Sequence, residues 1–103
     1  RDYIYVDDVT CAMVASATAP NINGLVINVG SGIETSVRDL INIVILTTGS
    51  QANTLYNQKI AGGVSRMQAD LTLASQKLNF KPSISLEEGL RLTLKRDPRM
   101  QSI

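Results

Sequence analysis

Three places in the chain hold residue types and spacings that could do chemistry. The first is Asn28-Val29-Gly30-Ser31-Gly32-Ile33-Glu34-Thr35-Ser36, a glycine-rich turn between an apolar run and a helical pattern. Backbone N–H groups at such a turn can cradle a phosphate, and the dipole of the following helix adds to the attraction. A dinucleotide fingerprint needs a third glycine where Thr35 stands, counted from Gly30 and Gly32, so the spacing favours a tight turn followed by a helix cap. The second is the adjacent pair Asp7 and Asp8. Neighbouring residues at a helix start point in different directions, so one cap and one solvated charge is a better reading than a paired acid and base. The third is a set of cations: Arg1 beside Asp2, Lys59 on the glycine-bearing loop Gln-Lys-Ile-Ala-Gly-Gly, and Arg66 four residues before Asp70. Arg1 with Asp2 is either a surface ion pair or an anion ligand at the mouth of a cleft. Arg66 and Asp70 are spaced for a salt bridge across one helical turn.

Composition narrows the chemistry. Histidine is absent and Cys11 is the single cysteine, so an intrachain disulfide and the common Cys/His zinc sites cannot be built; no metal is expected and Cys11 reads as a small buried residue. A serine without histidine would need an activating lysine, and no placement supplies one, so no catalytic nucleophile is assigned. Ten Lys and Arg against nine Asp and Glu leave a net charge of +1, and four aromatics offer no stacking platform. Nucleic acid is therefore not an expected partner. No apolar run approaches the length that crosses a bilayer, and no basic-then-apolar leader pattern is present. The expected setting is cytoplasmic, without a membrane.

These residues must be positioned by short elements. At 103 residues the chain is expected to form a single domain, residues 1–103. Its start within a strand-like alternation suggests part of a longer protein. Tyr3 to Val6 read as a strand, Asp7 or Asp8 as a cap, and Val9, Ala12, Met13 and Ala17 as a helical stripe that Ala-Pro-Asn-Ile-Asn-Gly ends. Leu-Val-Ile-Asn-Val-Gly reads as a strand buried on both faces. Ser36 with Asp39 opens a second helix along Val37, Leu40, Ile41, Val44 and Ile45, and Gly49 stops it. Ala-Asn-Thr-Leu-Tyr-Asn is a third candidate strand. Asp70 caps a third helix, Ser85 with Glu88 opens a fourth along Leu86, Leu90 and Leu94, and the tail after Pro98 is expected to fray. The order predicts an α/β fold, a small domain of short, partly parallel strands with about four helices.

Arg-Asp-Tyr-Ile-Tyr-Val-Asp-Asp-Val, then the stretch from Gly24 to Leu40, then the stretch from Val64 to Leu94 resemble the carboxyl-terminal third or so of the NAD-dependent nucleotide-sugar epimerase/dehydratase family, the extended short-chain dehydrogenases. The resemblance runs from Arg1 to about Lys95. It implies a parent enzyme with a Rossmann domain that holds NAD and carries a catalytic Tyr-x-x-x-Lys pair, and a smaller carboxyl-terminal domain that clamps the nucleotide-sugar. Only the second part is resembled. The glycine fingerprint is absent, Tyr56 is followed four residues on by Ile60, and neither Tyr3 nor Tyr5 has a lysine at that spacing. No catalytic or cofactor-binding residue is therefore assigned, and no cofactor is expected in this chain, NAD belonging to the parent family.

For substrate the resemblance implies Arg1, at the position of an arginine that contacts the diphosphate-nucleotide. In the family's later loop, Arg-x-Gly-Asp-Val-x-Arg, Ile60 and Gly63 replace the first arginine and the aspartate while Arg66 is kept. The expected substrate-binding residues are thus Arg1, Lys59 and Arg66, and the expected function is a fragment or remnant that adds substrate-binding surface without catalysing alone. Its expected partners are a nucleoside diphosphate sugar and either further copies of itself or a separate Rossmann domain. The alternative is a non-catalytic, self-associating interaction module.

Overall fold

The computed structural model describes residues 1–57 and 65–101. Four α-helices appear among them: α1 (Val6–Thr18), α2 (Val37–Thr48), α3 (Thr72–Leu78) and α4 (Leu86–Arg96), followed by a 3₁₀ turn at Pro98–Met100. The helix ends follow local chemistry. Ser36 Oγ accepts from the Asp39 N–H at 3.0 Å, and Ser85 Oγ accepts from the Glu88 N–H at 3.1 Å, so both expected caps form. Each such cap satisfies an otherwise orphaned donor and stabilises its helix by about 1 kcal/mol. Gly49 closes α2 at φ +67°, the left-handed region that costs glycine least. Asp70 receives both the N–H and the hydroxyl of Thr72 at the start of α3. Its expected partner, Arg66, turns elsewhere.

The expected strands do not form. No strand is present among the described residues, for reasons that differ along the chain. Val6 already belongs to α1, with Tyr5 as the cap residue, which leaves Tyr3 and Ile4 too little length to pair. Residues 25–29 and 52–57 lie without a ladder partner; Val26 is 86% exposed and Leu55 93% exposed, the opposite of a strand buried on both faces. A strand exists only by exchanging backbone hydrogen bonds with a neighbour. Arg1 and Thr35 do exchange both bonds, at 2.9 and 2.8 Å, but the pairing stops at that one residue pair.

Helix α1 is also turned relative to expectation. Asp8 and Ala12 are its buried residues, and Ala15 and Ala19 pack against the core, whereas Met13 is 66% exposed and Cys11 is exposed. The inward stripe thus runs Asp8, Ala12, Ala15 and Ala19, with steps of three or four residues. Cys11 lies about 100° around the helix from Ala12, outside it. Asp8 is inside because its carboxylate has work there. It accepts from the Ser83 N–H at 3.2 Å, the Ser83 hydroxyl at 2.9 Å and the Ile84 N–H at 3.0 Å, tying α1 to the segment that leads into α4. Neither aspartate caps α1. Asp7 instead pairs with Arg96 Nη1 at 2.8 Å, and the same nitrogen donates to the Tyr5 hydroxyl at 3.2 Å.

The apolar core is small: Ala12, Ala74, Leu78 and Phe80, with Ile4, Ile22, Ile27, Val29 and Leu71 partly buried around them. Phe80 is carried inward by the end of α3, where Asn79 adopts φ +51° and the Phe80 N–H reaches the Ala74 carbonyl at 3.2 Å. Helix α1 packs on α3, and α2 on α4. Gly89, buried on α4, lets the Tyr5 ring approach: a Cβ there would stand 3.1 Å from Tyr5 Cδ2.

Removing the buried Asp8 carboxylate leaves the part-buried Ser83 and Ile84 N–H groups without their acceptor. Asp8→Ala is expected to lower unfolding free energy by about 2–3 kcal/mol, read from urea denaturation. Asp7→Ala, which breaks only an exposed pair, should stay near the wild-type midpoint; equal losses in the two variants would mean that Asp8 is not the acceptor that joins α1 to α4.

Candidate functional site

The turn at Gly30–Gly32 is organised by Asp2. Its Oδ1 accepts from the Ser31 N–H at 2.8 Å and the Ser31 hydroxyl at 2.6 Å; its Oδ2 accepts from the Gly32 N–H at 2.9 Å and the Ala69 N–H at 3.0 Å. One half-buried carboxylate thus joins three stretches of chain that lie far apart in sequence. The approach needs glycine twice. A Cβ on Gly30 would lie 2.6 Å from Ala69 Cβ and 2.9 Å from Asp2 Oδ2, and Gly32 sits at φ +75°.

The phosphate-cradle possibility ends at this carboxylate. The Ser31 and Gly32 N–H groups donate to Asp2, and the Ile33 N–H donates to Ser31 Oγ at 3.0 Å. A resident anion already occupies the place a phosphate would take. For the same reason the turn does not fit the pyrophosphate of NAD. The short contact from Ser31 Oγ to Asp2 does not make an activated nucleophile either. Burial pushes the Asp2 pKa up, but hydrogen bonds from the Ser31 hydroxyl and from the Ala69, Ser31 and Gly32 N–H groups outweigh it and hold the acid below its ordinary value. A carboxylate stabilised in its charged form is a poor base.

Two of the three sequence-predicted site residues converge on the next two positions of the turn. Arg1 is bonded through its backbone to Thr35. Arg66 grips Glu34 with both faces of one guanidinium edge, Nε to Oε1 at 2.7 Å and Nη2 to Oε2 at 2.6 Å. The Glu34 pKa is held below its ordinary value by that hydrogen bond, with slight burial opposing and the Arg66 charge assisting. Lys59, with Ile60 and Gly63, lies outside the described residues.

The segment after Arg66 runs alongside the turn, and the contacts alternate. Gln68 Nε2 donates to the Gly32 carbonyl at 2.7 Å, so residues 66 and 68 reach Glu34 and Gly32 in step. Two open recesses flank the turn. One, of about 650 Å³, is lined by Ser31, Gly32, Gln68, Asp70, Thr72 and Ser75. The other, of about 390 Å³, includes Tyr3, Ser31, Ile33, Thr35, Ser83 and Glu87. Sequence reasoning missed Glu34 and Gln68 altogether and saw Asp2 only as a companion of Arg1. An acidic residue that completes a glycine turn from a distant stretch carries no local pattern.

Asp2 makes the turn pH-sensitive in a definite direction. Its folded pKa is lowered from an ordinary 3.8, so the stability it adds is complete above that value and is lost as pH falls through the folded value. Asp2→Asn presents an amide donor to facing N–H groups and should cost about 1–3 kcal/mol at neutral pH. Thermal midpoints measured from pH 7 downward should show a gap between wild type and Asp2→Asn that narrows below about pH 4. A gap independent of pH would contradict the ionised-acceptor role.

The comparisons with known proteins agree on one family. No protein-family profile matches the chain. A UDP-glucose 4-epimerase of Mycolicibacterium smegmatis is 35% identical over 94 residues, covering 91% of this chain and 30% of the relative. Among solved structures, the Thermotoga maritima UDP-glucose 4-epimerase with UDP-glucose superposes with a TM-score of 0.84 at 37% identity, over 92% of this chain and 30% of its own. A Bacillus cereus UDP-glucuronic acid 4-epimerase, in complex with a fluorinated UDP-sugar and NAD, gives a TM-score of 0.80 at 33% identity over 88% of this chain. A UDP-glucuronate 4-epimerase of Thermodesulfobacterium geofontis and a dTDP-glucose 4,6-dehydratase of Streptomyces griseus, each matched over 91% of this chain and 29% of their own length, extend the set. The chain therefore belongs to the NAD-dependent nucleotide-sugar epimerase/dehydratase family and spans about 30% of the length of the relatives it matches.

Proposed function

We propose that this chain is the substrate-facing, carboxyl-terminal part of a nucleotide-sugar epimerase or dehydratase, in which Arg1 and Arg66 hold the diphosphate of a nucleoside diphosphate sugar, and that it does not catalyse alone. The observation that carries this reading is the convergence of Arg1 and Arg66 on the adjacent turn residues Thr35 and Glu34. A diphosphate presents two anionic groups, and guanidinium donors are suited to take them bidentately. The relatives lend the substrate class: the T. maritima structure carries UDP-glucose and the B. cereus one a UDP-sugar. Lys59 is the third cation offered to the same ligand.

The reading also sets the strength of binding. Ile60 and Gly63 stand where the family motif has an arginine and an aspartate, and each missing charged contact forfeits about 1.5–3 kcal/mol. Weak binding by this chain alone is the consequence. The chain has neither a Tyr-x-x-x-Lys pair nor a dinucleotide fingerprint, and the glycine turn at Gly30–Gly32 is filled by Asp2. NAD and the reacting side chains would come from a Rossmann domain.

A specific observation favours a second role, association through an uncovered apolar face. Met13 is 66% and Leu25 44% exposed around a recess of about 360 Å³ lined in part by Val9, Ala12, Ile22, Ile27 and Leu78. Contiguous exposed apolar surface of this kind promotes association.

Isothermal titration with UDP-glucose and dTDP-glucose, with UDP as control, tests the first reading. Saturable heat is expected, with Arg1→Ala and Arg66→Ala each weakening binding roughly tenfold or more; no heat into the millimolar range would remove it. Light scattering tests the second: a dimer in the wild type that Met13→Asp returns to monomer is the expected result, and a monomeric wild type counts against self-association.

A further inference from the structure

The Arg66 guanidinium meets Glu34 with only one of its two hydrogen-bonding edges. Nε and Nη2 are engaged, whereas the opposite edge, formed by Nη1 and the second Nη2 hydrogen, has no acceptor among the described residues. The two side chains are unequally exposed, 81% for Arg66 and 26% for Glu34. The carboxylate thus sits against the protein and the free guanidinium edge faces out.

The backbone beneath Arg66 is fixed as well. Within three residues, Gln68 is bonded to the Gly32 carbonyl and Ala69 to the Asp2 carboxylate. Arg1 is fixed to Thr35, the residue next to Glu34. The distance between the two cationic residues is therefore set by one turn, and the direction of Arg66 by Glu34.

We infer that Glu34 is a positioning residue, gripping Arg66 edge-on so that its outer edge is held ready for the diphosphate of a nucleoside diphosphate. This rests on the binding role proposed above for Arg1 and Arg66. An arginine side chain loses substantial rotamer freedom when a ligand immobilises it, and a partner that has already fixed it removes part of that cost from binding. Glu34 also offsets part of the charge of Arg66, so the direction of its effect distinguishes positioning from competition. A positioning carboxylate strengthens diphosphate binding; a competing one weakens it.

A double-mutant cycle on the full chain, read by titration with UDP-glucose and with UDP, decides between them. Glu34→Ala is expected to weaken binding three- to tenfold, and Glu34→Gln, which keeps an acceptor for one guanidinium nitrogen, to recover part of the loss. In an Arg66→Ala background, Glu34→Ala should have no further effect. Thermal midpoints should stay near the wild type throughout, since the pair is exposed. Tighter or unchanged binding in Glu34→Ala overturns the inference, as does a loss of binding that persists without Arg66, which would mark a merely structural role. Absence of binding by the wild type removes the underlying site, an outcome distinct from wild-type binding that ignores Glu34.

Discussion

The Asp2 carboxylate is the acceptor on which the rest of the arrangement depends. Donors from Ser31, Gly32 and Ala69 end on its two oxygens, so the first residues of the chain, the glycine turn and the approach to α3 are held at one point. These stretches have no sheet to align them. A backbone ladder would spread the same task over many weak bonds; here a single charge concentrates it, and hydrogen bonds to an ionised acceptor are roughly twice as strong as neutral ones. Asp8 repeats the device, joining α1 to Ser83 and Ile84 with a carboxylate that is only 3% exposed.

This manner of cohesion fits a chain that cannot enclose much apolar surface. The radius of gyration is 16.5 Å, where a compact domain of about 100 residues would have about 13 Å, and the thinnest extent is 17 Å. Among the described residues four apolar side chains are buried, two of them alanines. Leu25, Val26, Leu46 and Leu55 remain exposed, with no layer among the described residues to cover them. The match to relatives of which the chain spans about 30% accounts for the same imbalance, since a piece of a larger fold keeps its local hydrogen-bond anchors and loses its covering layers.

What was legible in the sequence divides along that line. Caps at Ser36 and Ser85 and the glycine stop at Gly49 depend on residues within four positions, and the structure has them as read. Helices α2 and α4 start at those caps, whereas α1 and α3 have Tyr5 and Leu71 at their N-caps and no side-chain cap, the expected cap Asp70 standing one residue too early. The strands were misread because alternation of apolar residues reports a preference for a pleated, half-buried surface, and partner strands decide whether one exists. The stripe of α1 was misread because Asp8 was taken for a cap or a solvated charge. With an aspartate admitted to the inner face, the line Asp8, Ala12, Ala15, Ala19 appears at once. Cys11 follows the same error. In the candidate site, Arg1 and Arg66 were named from the family resemblance, whereas Glu34 and the acceptor role of Asp2 depend on contacts across 29 or more residues, which no spacing rule reaches.

The glycine turn shows how an apparent ligand site and a structural anchor can share one sequence. Successive N–H groups at Ser31 and Gly32 form an anion-binding concavity whichever anion fills it. When the anion is the protein's own Asp2, the concavity stops being a place for a phosphate and becomes the fixed point from which Arg1 and the Glu34–Arg66 pair are set out. Arg1 is the neighbour of Asp2 in sequence, and Glu34 follows Gly32 by two residues, so whatever holds the carboxylate in the turn also sets where Arg1 and the Glu34–Arg66 pair stand. Recognition of a diphosphate at this place would therefore depend on a half-buried negative charge that never touches the ligand: it holds the backbone, and the backbone holds the arginines.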